Sequence, residues 1–155
     1  MRFLLTNEKH VRSSLHPLLT GIILAIVLFM PLDILWHGTA FGFTPSQVMH
    51  TLYGDEENFI DPLAFDTVLL QAHTDWFSTF IVLLITEAFT IRYLSTARFT
   101  TVVVHAIGIL GMLTPLLLIA AYRYALLLWV WWGMFYGWHG LIGIIGTRLL
   151  VKVWR

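Results

Sequence analysis

The stretch Leu69–Phe89, LLQAHTDWFSTFIVLLITEAF, is long and apolar enough to cross a membrane, yet it carries His73, Asp75 and Glu87. A spanning helix needs about 20 mostly apolar residues. Charge inside hydrocarbon is expensive, so ionisable residues at that depth mark functional sites by default. The fold follows from the first property of this segment, and the question of function from the second.

Composition agrees with the membrane reading. Of 155 residues, 58% are hydrophobic and only 12% charged, about half the charged share of an ordinary soluble domain. Mean hydropathy is +0.79. Net charge is zero and no basic run is interleaved with aromatics, so nothing points to nucleic acid. Cysteine is absent, which excludes disulfides, thiolate metal sites, iron–sulfur clusters and covalent haem attachment. Seven histidines and the carboxylates remain as strong ligands.

Three further segments share the length and apolarity of the first. The spans expected are Pro17 to Trp36, Leu63 to Ile91, Phe99 to Ala121 and Tyr124 to Leu149, in one membrane domain over residues 1–155. Pro17 suits a first-turn position; Pro31 and Pro115 fall inside spans, where a bundle tolerates them as kinks. The polar run Thr6–Ser14 and the lack of a small-residue cleavage site mark the first span as a retained helix. Eight of the nine basic residues fall on one side: Arg2, Lys9, Arg12, Arg92, Arg98, Arg148, Lys152 and Arg155, with Arg123 alone opposite. The positive-inside rule then places both termini in the cytoplasm of a multi-pass inner-membrane protein. The expected class is an all-α four-helix membrane bundle.

The 38–62 loop contains a helix signature. Thr44 with Gln47 forms a capping box, Pro45 takes the first helical position, and Gly54 is a fitting terminator. A short helix over 45–53 is expected on the outer surface, with Val48, Met49, Leu52 and Tyr53 on its apolar face, either as a lid that closes the bundle or as a cover over a site that also presents His50. Trp36, Tyr122, Tyr124 and Trp154 suit an interfacial belt. Gly133 and Gly137, with Gly140 following, allow either close helix packing or a flat groove for a planar group.

Rise per residue assigns depths to the polar groups. Measured from the expected cytoplasmic ends, His105 lies roughly 9 Å deep, His139 roughly 14 Å and Glu87 roughly 6 Å. On the outer side, His73 and Asp75 lie roughly 10 to 18 Å down, while Asp33 and His37 share one helix face at i and i+4. Two layers result, each with two helical histidines and at least one carboxylate. A b-type haem is held by two neutral imidazoles from facing helices. His105 with His139 is the better-matched pair; His37 with His73 is the second, with His50 able to replace His37. Gly108 and Gly140 or Gly143 would leave room for the macrocycle.

In topology and in one histidine per helix the chain resembles the four-helix membrane b-type cytochromes. That resemblance implies haem b, electron transfer, and a quinone as natural small-molecule partner. Two other readings stand beside it. Asp33, His37, His73, Asp75 and Glu87 suit a non-haem metal site or a proton relay. Alternatively, the chain is a non-catalytic subunit of a larger respiratory membrane complex, with Asp75 and Glu87 paired to Arg123 or Arg92.

Overall fold

A computed structural model describes the backbone of residues 8–94 and 97–154, and side chains from residue 15 onward apart from 95–97, 99 and 155. The basic residues Arg2, Lys9, Arg12 and Arg155 therefore lie outside the described side chains. The described residues form α1 (Glu8–Ala40), α2 (Pro45–Tyr53), α3 (Phe65–Tyr93), α4 (Ala97–Arg123) and α5 (Leu126–Val153). Four of these contain apolar stretches long enough to span a bilayer: Leu15–Ala40, Phe65–Tyr93, Thr100–Arg123 and Leu126–Val153.

The helices run past their expected ends. α1 begins at Glu8, so Pro17 is interior rather than in the first turn. The helix absorbs the lost hydrogen bond, as a kinked membrane helix can. α5 continues to Val153, four residues beyond the expected Leu149. This extension changes the depth of His139.

Helix α2 matches its signature. Thr44 accepts from the Gln47 amide at 3.3 Å, and the Gln47 side chain accepts from the Thr44 amide at 3.1 Å. Pro45 opens the helix and Gly54, at φ 83°, closes it, a backbone angle that suits glycine. Val48 and Leu52 are buried against the bundle, whereas Met49 is exposed. The helix is thus a cover seated on α5. It does not lie free on the membrane surface.

Beyond Gly54, Asp55 and Ile60 exchange both backbone hydrogen bonds, at 2.8 and 2.9 Å, and Asp55 pairs with His50 Nδ1 at 2.7 Å. The Asn58 amide side chain donates to Asp55 at 2.7 Å. That bond, with the Asn58 and Glu57 backbone amides and His50, holds the Asp55 carboxyl below its ordinary value. A depressed carboxylate contributes stability above its unfolded pKa of about 3.9 and loses it as pH falls through the lower folded value. Amide protection at Asn58 and Ile60 is therefore expected to persist down to about pH 4 and to collapse below it, as read by hydrogen exchange. Collapse at neutral pH would contradict this account of the loop.

α5 is the hub, touching α1, α2, α3 and α4. The core divides in two along the bundle. Nearer the chain termini, Ile23, Ile26, Met30, Val82, Leu83, Ile107, Trp138 and Ile142 pack together. Nearer α2, Phe41, Val48, Leu52, Val68, Leu118, Leu128, Trp131 and Phe135 do so. Outward faces are equally apolar, with Leu24, Leu28 and Leu32 exposed on α1 and Leu70, Phe77 and Leu84 on α3. A helix apolar on all sides, at the surface of a small bundle, is one surrounded by lipid. The polar site lies between the two cores.

Candidate functional site: a buried histidine–carboxylate chain

Asp33 and His37 occupy successive turns near the end of α1, and both point inward. His37 is 3% exposed. Its Nδ1 lies 2.9 Å from the Asp33 carbonyl oxygen, one turn earlier, and its Nε2 lies 2.9 Å from Oδ2 of Asp75 on α3. The second oxygen of Asp75 accepts from the Gln71 amide at 2.6 Å. On α5, His139 repeats the arrangement: Nδ1 is 2.7 Å from the Phe135 carbonyl, and Nε2 is 2.8 Å from Oδ2 of Asp33. The other oxygen of Asp33 sits 3.6 Å from His37 Nδ1. Gln71, Asp75, His37, Asp33 and His139 thus make one chain across three spanning helices.

The contacts constrain where the protons can sit. A carbonyl oxygen only accepts, so both Nδ1 atoms carry hydrogen. Each Nε2 then faces a carboxylate oxygen at hydrogen-bond distance, and a proton must lie between two atoms that otherwise present only lone pairs. With one proton shared between nitrogen and oxygen, each histidine–aspartate pair is neutral as a unit. That neutrality explains how four ionisable groups are tolerated at this depth, since paired charge avoids most of the cost of isolated charge.

The walls are aromatic. The Phe135 ring lies 4.6 Å from the His37 ring and 4.2 Å from the His139 ring, centroid to centroid. Trp138 meets His139 edge-on at 4.9 Å. Apolar walls lower the local dielectric and strengthen the hydrogen bonds they enclose.

The expected pairs are not brought together. His139 meets Asp33 rather than His105. His105 is on an exposed face of α4, bonded through Nδ1 to the Thr101 carbonyl at 2.7 Å; its charged neighbour is Glu87. His73 is exposed on α3 and lies against Trp76, Phe77, Phe80 and Met112, while His37 turns to Asp75. Asp75 takes histidine and glutamine as partners, not Arg123. Gln71 escaped the sequence reading, although its spacing of four from Asp75 was the available signal.

Both Nε2 atoms of the buried imidazoles are engaged by carboxylates, and Phe135 lies against both rings. At Gly108 the space expected for a macrocycle holds the Glu87 carboxylate, 3.0 Å from where a Cβ would stand. Gly140 and Gly143 face open space. Among the described residues, no group of three or more His, Asp or Glu is placed to hold a metal ion.

Fold and site together define a multi-pass membrane protein organised around a buried histidine–aspartate chain. Comparison with known proteins adds no relative: no family model, no curated protein and no solved structure matches the chain.

Proposed function

We propose that the protein moves protons within the membrane through the chain Asp75–His37–Asp33–His139. One observation carries this reading: both buried histidines are hydrogen-bonded at both nitrogens, each faces a carboxylate at Nε2, and the Asp33 carboxylate stands beside both rings. Imidazole relays by taking a proton at one nitrogen and releasing another from the opposite nitrogen. A proton arriving at Asp75 passes to His37 Nε2. The Nδ1 proton of His37 leaves to Asp33 once that carboxylate closes from 3.6 Å to the usual hydrogen-bond range of about 2.8 Å. Asp33 accepts it only as the proton it already shares moves fully to His139 Nε2, which leaves the excess charge on the His139 imidazolium. Intramembrane carboxylate–histidine chains suit this role chemically.

Proton flux into proteoliposomes carrying an internal pH-sensitive dye tests the reading. Asp75→Asn keeps the shape and removes the proton site, so flux is expected to fall by about a hundredfold or more, the scale of losing one general acid–base group. Equal flux in parent and variant would overturn the proposal. Sharp b-type absorbance bands from haem-supplied protein would return the electron-transfer reading, with quinone as partner, in its place.

A second reading is favoured by one observation. Cβ atoms added at Gly133, Gly137, Gly140 or Gly143 would meet nothing within 4 Å, so the glycine face of α5 is open to a neighbouring helix, as expected of a subunit in a larger membrane complex. The two readings are compatible. For orientation, the basic flanks support cytoplasmic termini in an inner membrane; the relay then lies in the half of the bundle remote from the cytoplasm.

A further inference from the structure

The inward face of α3 does not stop being polar at Asp75. Gln71, Asp75, Thr79, Thr86 and Thr90 follow one another at steps of four, four, seven and four along its inward side, which keeps them on a narrow stripe. Thr79, Thr86 and Thr90 are 7%, 1% and 0% exposed. From Gln71 to Thr90 the stripe rises about 28 Å, close to the thickness of the hydrocarbon core.

The hydroxyls of Thr86 and Thr90, like that of Thr20 on α1, have no hydrogen-bond partner among the described residues. This sets them apart from their counterparts. Thr74, Ser78, Thr114 and Thr147 all donate to the carbonyl one turn earlier, at 2.7 to 3.0 Å. A buried hydroxyl left without a partner is costly, whereas a bridging water satisfies it at little entropic cost. Glu87 adds a carboxylate at the same level, over the α4 backbone at Gly108. Between Thr79 and Thr86 the stripe is interrupted by Val82 and Leu83, both buried in the apolar core.

We propose that α3 carries a water-bridged, hydroxyl-lined proton path from Asp75 to the terminal end of the bundle, gated by the apolar pair Val82 and Leu83. The inference rests on the proton-transfer reading and extends it. Asp75 is where the histidine–aspartate chain meets the stripe; the threonines are the wetted part of the path, and Val82 and Leu83 hold the two apart at rest. A proton crosses by hopping along hydrogen bonds, with no bond formed or broken other than O–H and N–H.

Two measurements decide it. In the proteoliposome assay, Thr86→Val with Thr90→Val preserves side-chain shape and is expected to lower flux at least about tenfold, the scale of losing a hydrogen-bonded site; Leu83→Ala is expected to raise it severalfold. If the double variant conducts like the parent while Asp75→Asn does not, the path runs elsewhere and the proton-transfer reading survives. If neither the parent nor any variant conducts, that reading falls. The hydration claim is then settled by solid-state NMR of the parent protein in bilayers, with polarisation transferred from water. Strong water contact at Thr86 and Thr90, with none at Leu83, is the expected result. Dry threonines, or a double valine variant markedly more stable than the parent, would overturn the path.

Discussion

Asp33→Ala is expected to destabilise the bundle by about 3 kcal/mol, the lower end of what breaking a buried ion pair costs, and to abolish proton movement. Asp33 is the joint of the chain. Its carboxylate accepts from His139 at 2.8 Å and stands 3.6 Å from His37. Alanine leaves the Nε2 of a 3%-exposed imidazole on α5 without its hydrogen-bond partner. It also removes the tie between α1 and α5 at the junction of the two cores. The carboxylate itself is 18% exposed, which is why the lower end of that range applies. Unfolding in mixed micelles, titrated with a denaturing detergent, measures the loss. A change near 0.6 kcal/mol, the average for hydrogen bonds between membrane helices, would mean that the chain is not structurally coupled.

Gly111→Val is expected to cost about as much, about 3 kcal/mol, by a steric route. A Cβ at Gly111 would stand 2.6 Å from Trp138 Nε1 and 2.9 Å from Thr79 Cγ2. The indole cannot simply yield, because its N–H donates to the Ile107 carbonyl at 3.1 Å. α4 would have to withdraw from α3 and α5, opening the core beside His139. The same substitution at Gly133, where nothing lies within 4 Å, is the control and is expected to change the fold of the single chain by less than about 0.5 kcal/mol. Equal effects at the two glycines would contradict the packing described.

The spans and the short helix were legible because local rules determine them. Apolar length gives a membrane helix wherever it occurs, and Thr44, Pro45, Gln47 and Gly54 specify α2 within a dozen residues. The partners of the histidines were not legible, for two physical reasons. Depth was reckoned from helix ends, and α5 runs on to Val153, so His139 lies near mid-helix, at the level of Asp33 rather than in a separate inner layer. Facing direction was also hidden. Spanning helices are apolar on all sides, so periodicity carries little information about which side turns inward, and polar residues become the only guide. That guide holds for His37, Asp75 and His139 and fails for His73 and His105, which the fold turns outward. The spacing of Asp33 and His37 was readable as one face; that the two residues would serve different partners was not.

The account turns on where the protons sit. Nitrogen-15 solid-state NMR of histidine-labelled protein in bilayers, supplied with haem and metals during expression, measures this directly. His37 and His139 are predicted to carry hydrogen at Nδ1 and to share an Nε2 proton in a strong hydrogen bond. That signature should be lost for His37 alone in Asp75→Asn and for His139 in Asp33→Asn. A bare Nδ1, or an Nε2 bound to iron or another metal, would contradict the relay and put a ligand where the proton is placed here.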